Sequence, residues 1–102
     1  MSKLVEEWRP VVGYEGLYEV SDWGNVKSLN YNKTKTVKNL SLVEGKDGYL
    51  VVCLYKNGHQ KEGKVHRLVA EAFIPNHQNK PQVDHLNGDK TDNRVENLRW
   101  AT

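Results

Sequence analysis

Asp84 and His85 are consecutive residues in the last fifth of this 102-residue chain, and they begin its densest run of chemically useful side chains. A carboxylate is an oxygen ligand for a hard cation such as Mg²⁺, and a neutral imidazole can take a proton from water. The polar loop that follows contains further carboxylates and amides, and an amide carbonyl can fix the tautomer of an imidazole. Its turn-forming residues are Asn87, Gly88, Asp89, Asp92 and Asn93. This combination is typical of a site for metal-assisted hydrolysis.

The same stretch resembles the HNH nuclease motif, in the form carried by phage and intron-encoded homing endonucleases. Upstream segments resemble the small N-terminal module, of the NUMOD4 kind, that accompanies the motif in those enzymes. The matching segments are Trp8, 13–21, 24–26, 65–70, 84–94 and 97–100. Because they cover nearly the whole chain in the expected order, the resemblance is specific, whereas a lone Asp-His pair would be weak.

The resemblance implies a role for each of three residues in the cleavage of double-stranded DNA. Asp84 is then the first ligand of one divalent cation, Mg²⁺ or Mn²⁺, and His85 is the general base that activates a water. Asn97, the central asparagine of the motif, orients His85 through its side-chain carbonyl. The turn residues of the loop, Asp89 and Asn93 among them, are assigned structural roles. The implied products carry a 5′ phosphate and a 3′ hydroxyl.

The resemblance also implies an incomplete metal site. In the family, the chain continues past the Trp-Ala-Thr stretch into a helix that carries a second metal ligand, an Asn or a His. This sequence ends at Thr102, so we expect a ββα-metal motif without its final helix. The chain is then a fragment of a longer endonuclease, or a short form that is inactive or completed by another chain, for example in a homo-oligomer.

Basic residues are distributed unevenly along the chain, whose formal net charge is +2 and whose pI is near 8.7. Four lysines and no acidic residue lie between Trp23 and Leu40. A basic arm beside an acidic metal pocket suits a polyphosphate partner, and a solvated loop with ordinary surface charge is the alternative. The predicted DNA-contacting residues are Lys27, Lys33, Lys35, Lys38, Arg67, Arg94 and Arg99.

The patterns upstream of the motif predict an α+β fold in which a small twisted antiparallel sheet of about four to six strands packs on one helix. Residues 49–56 are the most apolar run, and Asn57-Gly58 after them is a strong hairpin signal. Pro10 restricts the first strand to a sheet edge. The predicted strands are 8–12, 17–20, 26–29, 40–42, 49–56 and about 60–65, with a basic loop over 30–38.

Apolar residues spaced i, i+3, i+4, i+7 and i+8 predict one helix, which begins at Val65 and ends before Pro75. Its expected role is to pack on the sheet and carry the chain to the site. His66, at its start, is interpreted as a capping or surface histidine, with a direct catalytic role as the alternative. We therefore divide the chain into a β-rich accessory and DNA-contacting module, 1–64, and an incomplete nuclease motif, 65–102.

Cys53 is the only cysteine, which excludes a disulfide framework and a cysteine-based zinc site. It lies within the most apolar run and is interpreted as a buried core residue rather than a catalytic thiol. No signal peptide or membrane span is evident in the sequence. We therefore expect a cytoplasmic protein, of a bacterium or a phage-infected cell, with no membrane partner.

Two classes of function fit the sequence. The first is a metal-dependent HNH endonuclease or the bulk of its catalytic domain. The second is a non-catalytic DNA-binding module whose remnant site does nothing. Cleavage would depend on His85 and on a divalent cation, whereas phosphate binding alone would depend chiefly on salt. A zinc-stabilised structural domain is disfavoured by the single cysteine and the scattered histidines.

Overall fold

The computed structural model describes residues 5–31 and 33–102, so the first four residues of the predicted N-terminal module and Asn32 of the predicted basic loop lie outside the described residues. The described part contains nine strands in three antiparallel sheets, one α-helix and one 3₁₀ turn. The strands are β1 Trp8–Pro10, β2 Tyr18–Ser21, β3 Val26–Tyr31, β4 Thr36–Asn39, β5 Val43–Glu44, β6 Leu50–Lys56, β7 His59–Lys64, β8 Gln82–His85 and β9 Leu98–Ala101. Helix α1 spans Val65–Phe73, and the 3₁₀ turn spans Val95–Asn97. The α+β class is confirmed, although the strands divide among three sheets instead of forming one.

The first sheet contains β1 to β4 in sequence order, each strand antiparallel to the next. β1 is an edge strand, which suits Pro10 because proline has no N–H to donate to a second neighbour. The predicted basic loop is partly strand, since β3 continues to Tyr31 and β4 resumes soon after. Lys33 and Lys35 lie in the turn between them with positive φ, 59° and 60°. The basic tip is thus the exposed end of a hairpin.

The second sheet, β5-β6-β7, contains the hairpin predicted at Asn57-Gly58. Both turn residues have positive φ, 53° and 77°, as a type I′ turn requires. The strand predicted over 40–42 is wrong, because pairing with β6 begins only at Val43. Leu40 and Leu42 pack, partly buried, against the core. Their apolar alternation therefore reflects the packing of a connecting segment, not a strand ladder.

Helix α1 holds the three sheets together, because it contacts strands of each of them. The residues of its predicted apolar face are buried or partly buried: Val65, Leu68, Val69, Ala72 and Phe73. The helix ends at the predicted place, where the Ile74 N–H donates to the Ala70 carbonyl and Pro75 follows. No helix within the described ranges is long and apolar enough to cross a bilayer. The core around α1 includes Val20 of the first sheet, Leu54 of the second and Val83 of the third, so one core supports the β8–β9 hairpin.

Cys53 is exposed, and its interpretation as a core residue was wrong. Its sulfur accepts a hydrogen bond from Gln60 Nε2 at 3.3 Å on the outer face of the β6–β7 hairpin. Its neighbours Val52 and Leu54 are buried, at 4% and 1% exposure. Successive side chains of a strand point to opposite faces, and a run in which nearly every residue is apolar does not reveal which face is inside.

Candidate active site

The β8–β9 hairpin places the carboxylate and the imidazole on opposite faces of one strand. Asp84 pairs with Arg99 across the ladder, and His85 pairs with Leu98. Val83 is buried, Asp84 is exposed and His85 is partly buried, as the alternation of a strand requires. The side chains of Asp84 and His85 thus point in different directions although the two residues are neighbours in sequence.

His85 is held by Asn93, not by the predicted Asn97. The imidazole Nε2 lies 2.7 Å from Asn93 Oδ1, and the Asn93 side chain is nearly buried, with 3% of the residue exposed. An amide oxygen only accepts hydrogen bonds, so Nε2 carries the proton and donates it. The lone pair of the neutral imidazole is therefore on Nδ1, the nitrogen able to accept a proton.

Asn97 braces the loop instead of orienting the imidazole, which corrects the contact that we expected. Its Oδ1 accepts the Asn87 amide N–H at 3.0 Å, and its Nδ2 donates to Asn87 Oδ1 at 3.0 Å and to the Asp92 carbonyl at 2.8 Å. The residue is 6% exposed. The 3₁₀ turn directs this side chain into the loop after β8, where both amide atoms form hydrogen bonds. Asn97 therefore links the two ends of that loop.

Two further rings pack beside His85. The His66 ring centroid lies 5.1 Å from that of His85, and the Tyr49 ring stacks on His66 at 4.7 Å and on His85 at 5.9 Å. His66 is only 5% exposed, no side chain caps the helix start, and the buried Nδ1 of His66 has no hydrogen-bond partner among the described residues. Our interpretation of His66 as a surface or capping residue was therefore wrong.

Burial, and after it the neighbouring His85, Arg67 and Lys64, together lower the pKa of His66 from its ordinary value of 6.5 to about 4. The carboxylate of Asp47 acts in the opposite direction but is the weakest influence. His66 is consequently a neutral ring near neutral pH. A neutral His66 adds no positive charge beside His85 in the same stack.

Hydrogen bonds within the loop keep its acidic groups ionised. Arg94 donates from Nη2 to Asp92 Oδ2 at 2.7 Å and from Nη1 to Glu96 at 2.9 Å. The bonds from Arg94, and then that from Asn87, lower the pKa of Asp92 to about 2, against the effect of partial burial. The pKa of Asp89 is lowered by the side chain and the backbone N–H of Thr91. Negative charge thus persists along this loop over the whole physiological pH range.

The carboxylate of Asp84 fits a hard divalent cation. Its nearest cationic atom is Arg99 Nε at 3.7 Å, a loose pair between side chains that are 49% and 66% exposed. Such a carboxylate remains free to bind an ion that fills its other positions with water and phosphate oxygens. Across residues 5–31 and 33–102, no group of three or more His, Cys, Asp and Glu residues is placed to hold a metal ion. Asp84 would therefore be the acidic ligand that the described residues supply.

Comparison with known proteins agrees with this geometry. Residues 63–102 match the HNH endonuclease family, and residues 6–55 match the NUMOD4 motif. The chain therefore contains an HNH endonuclease domain preceded by a NUMOD4 motif. HNH endonucleases generally use a divalent metal ion, and the chain combines the nuclease motif with the module found in homing endonucleases.

The relatives of this HNH protein are phage and viral endonucleases. It is 43% identical to the DNA endonuclease I-HmuI of Bacillus phage SP01, over 94% of this chain and 52% of that protein. It is also 43% identical to an uncharacterized HNH endonuclease of Acanthamoeba polyphaga mimivirus, over 100% of this chain and 25% of that protein. The solved structure of I-HmuI, which concerns DNA binding and cleavage by that enzyme, superposes with a TM-score of 0.82 over 94% of this chain and 52% of its own. The chain spans about half or less of the length of these relatives.

The predicted DNA-contacting residues of this HNH protein fall into two regions. Lys27, Lys33, Lys35 and Lys38 belong to the β3–β4 hairpin and the turn at its tip. Lys27 Nζ lies 4.1 Å from the Trp8 ring centroid and 3.4 Å from Glu19 Oε1, and Lys38 Nζ lies 4.2 Å from the Tyr31 ring centroid. The arginines belong to the nuclease motif: Arg67 on α1, Arg94 in the loop and Arg99 on β9. The arginines thus lie within the nuclease motif that contains His85, whereas these lysines lie in the N-terminal module.

Two lysines near the HNH site were missed by sequence reasoning. Lys64 Nζ and Lys90 Nζ lie 5.0 Å and 4.9 Å from the Tyr49 ring centroid, beside the stack that includes His85. Lys64 also pairs with Asp47 Oδ2 at 3.0 Å, and Lys90 donates to the Asp47 carbonyl at 2.8 Å. They come from the end of β7 and from the loop after β8, so no sequence spacing connects them. Asn93 was missed as the partner of His85 because spacing in the sequence does not distinguish it from Asn97.

Proposed function

We propose that this chain is the catalytic core of a metal-dependent DNA endonuclease that hydrolyses phosphodiester bonds. The observation that supports this most directly is the 2.7 Å contact between His85 Nε2 and Asn93 Oδ1. His85 directly follows Asp84, whose carboxylate is exposed. A general base needs a fixed ring and a lone pair that faces the water it deprotonates. The HNH endonuclease domain and the likeness to the DNA endonuclease I-HmuI support DNA as the substrate. We propose the double-stranded form from the resemblance of the motif to that of homing endonucleases.

In the proposed reaction, His85 Nδ1 removes a proton from water as the water oxygen forms a bond to phosphorus and the bond from phosphorus to the 3′ oxygen breaks. The leaving 3′ oxygen takes a proton from solvent and becomes the 3′ hydroxyl. Asn93 accepts the Nε2 hydrogen bond throughout, which stabilises the imidazolium that forms. Asp84 would hold the cation, with Mg²⁺ or Mn²⁺ favoured by its hard oxygen ligands. The bound cation would supply Lewis acidity toward the phosphate oxygens and the leaving oxygen.

The basic residues are proposed to bind the DNA backbone. The β3–β4 hairpin carries Lys33 and Lys35 in its turn and Lys38 on β4, all three exposed and without an acidic neighbour in sequence. Lys64 and Lys90 add positive charge beside the ring stack. Arg94 is the weakest candidate, because Asp92 and Glu96 already occupy its guanidinium. Phosphate contacts of this kind position a protein on the duplex without reading its sequence.

Nicking of supercoiled plasmid tests the proposal. The wild-type chain should nick with Mg²⁺ or Mn²⁺ and not with chelator, and His85→Ala should lower the rate by roughly 10²-fold or more, as loss of a general base does. His59→Ala is the matched control, because His59 is exposed on β7 and should change nothing. Nicking that persists in His85→Ala, or that needs no metal, would overturn the assignment. DNA binding without nicking would favour the binding-module alternative.

A further inference from the structure

The turn between β2 and β3 packs directly on the loop that holds His85. Gly24 in this turn is buried and has φ of +92°. A Cβ added to Gly24 would lie 2.9 Å from the Cβ of Asn93 and 3.1 Å from its backbone carbon and oxygen. Carbon atoms at optimal separation are about 3.5 to 4.0 Å apart, so this contact has no room for a side chain.

A backbone hydrogen bond joins the same two segments. The Val95 N–H donates to the Asp22 carbonyl at 2.9 Å, and Asp22 is only 3% exposed. The turn is also braced internally, because Ser21 Oγ accepts the amide N–H groups of Trp23 and Asn25 at 3.2 and 3.0 Å. This braced turn packs against Asn93 and accepts a hydrogen bond from Val95, two residues further along the chain. Together the two contacts constrain the path of this part of the loop.

Asn93 depends on that constraint, because its own side chain is weakly anchored. Its Oδ1 meets His85, but its buried Nδ2 has no hydrogen-bond partner among the described residues. In contrast, Asn97 uses both of its amide atoms. The position of the Asn93 side-chain carbonyl is therefore set by the position of the Asn93 backbone. That backbone packs against Gly24.

We propose that the β2–β3 turn is part of the catalytic site, with Gly24 acting as a positioning residue that places Asn93 and, through it, fixes the tautomer and direction of His85. The N-terminal module then completes the nuclease site and is not a separable DNA-binding attachment. This inference rests on the proposed function for the catalytic role of His85. The state of the His85 ring can be measured without cleavage, so the two proposals can fail separately.

The test compares Gly24→Ala with Gly16→Ala in the full chain. Gly16 also has positive φ, +81°, but a Cβ there meets nothing within 4 Å, so the two variants share the backbone strain and differ in the contact with Asn93. Nitrogen-15 NMR of the imidazoles reports the His85 tautomer, and plasmid nicking reports kcat and KM. Wild type and Gly16→Ala should show one tautomer with the proton on Nε2, and Gly24→Ala should show a mixture.

For cleavage, we expect Gly24→Ala to lower kcat by roughly 10²-fold, the penalty typical of a slightly misplaced catalytic group, with KM for DNA nearly unchanged. An unaltered tautomer and rate in Gly24→Ala, or equal effects in Gly16→Ala, would overturn the inference. If the wild type does not nick but Gly24→Ala still changes the tautomer, the positioning role survives and the proposed function does not.

A second variant covers the case in which Gly24→Ala does not fold. Val95→Pro removes the N–H that bonds to Asp22, and the backbone accepts it, since Arg94 has φ of −63° and ψ of 140° and Val95 opens the 3₁₀ turn. It should disturb the His85 tautomer in the same way. A single undisturbed tautomer in folded Val95→Pro would count against the turn as a positioning element.

Discussion

The imidazole of His66 lies against that of His85, with the ring centroids 5.1 Å apart, and it is buried with one nitrogen lacking a partner among the described residues. A buried polar atom without a hydrogen bond destabilises a protein. The same ring fills space between Tyr49 and His85. Its packing and its polarity therefore act on stability in opposite directions.

Substitution of His66 should separate these two contributions. His66→Phe keeps a ring in the stack and removes the unpartnered nitrogen, so its free energy of unfolding should equal or exceed that of the wild type. His66→Ala removes the ring and should lower that free energy by about 2 kcal/mol or more. Urea unfolding measures both. A Phe variant less stable than the Ala variant would mean that the polar nitrogen matters more than the packing.

His66 should also make stability depend on pH between 6.5 and 4. The pKa of this group is about 4 in the folded chain and 6.5 in the unfolded chain, so the unfolded chain binds more protons in this range and stability falls as pH falls. The full difference corresponds to about 3 kcal/mol. The lowered pKa values of Asp92 and Asp89 act below about pH 5, where the carboxylates of the unfolded chain begin to bind protons. Urea unfolding at several pH values should show the loss, and His66→Phe should lack this component; an identical pH profile in the variant would contradict the assignment.

Asn93 and Asn97 should have different mutational effects. Asn97→Ala removes three hydrogen bonds and leaves the Asn87 N–H and the Asp92 carbonyl without the partner that Asn97 provides, so it should lower the unfolding free energy by about 2 to 3 kcal/mol. Asn93→Ala removes a buried amide that is only half satisfied, so its stability should stay within about 1 kcal/mol of wild type, while the His85 tautomer becomes mixed. Urea unfolding and imidazole NMR test both variants, and a reversed pattern would restore Asn97 as the partner of His85.

Arg99 should compete with the metal ion for Asp84. The two side chains form a loose exposed pair at 3.7 Å, so Arg99→Ala should raise Mn²⁺ affinity by up to about fivefold, since such a pair contributes at most about 1 kcal/mol. Asp84→Asn should weaken Mn²⁺ binding strongly. Arg94→Ala is the matched control, because Arg94 pairs with Asp92 and Glu96 instead. Isothermal titration calorimetry would measure the affinities, and equal gains in both arginine variants would indicate a general charge effect.

The exposed lysines of the β3–β4 hairpin should set the salt dependence of DNA binding. Replacing Lys33, Lys35 and Lys38 with Gln should lower the slope of log K against log salt by about 2 to 3, because each phosphate contact contributes about 0.9. A control triple variant at Lys46, Lys61 and Lys80 removes the same charge elsewhere. Fluorescence anisotropy at several salt concentrations gives the slopes. If both triple variants change the slope equally, the net charge of the protein, and not the β3–β4 hairpin in particular, accounts for the salt dependence of binding.

Local patterns in the sequence predicted the local structure. The turn at Asn57-Gly58, the helix from Val65 and the adjacent placement of Asp84 and His85 on a strand all follow from periodicity or from turn chemistry within a few residues. Cys53 was misplaced because its strand is apolar on both sides of the alternation. The division into three sheets was not predicted, because strand pairing between segments is set by contacts distant in sequence.

The partner of His85 shows where sequence reasoning stops. Both Asn93 and Asn97 lie within reach of the imidazole along the chain, and their residue type is the same. Which of them meets the ring depends on the loop path, and that path is fixed by contacts with Asp22 and Gly24 near the other end of the chain. No local spacing encodes such a contact.

The contact between Gly24 and Asn93 also bears on when the site forms during folding. Its two sides come from segments far apart in sequence, so a long loop must close before they meet, and contacts of this kind form slowly. During synthesis, the β2–β3 turn leaves the ribosome long before residues 93–95 exist. The nascent chain therefore cannot form the hydrogen bond between His85 and Asn93 until almost all of the sequence shown here has been made.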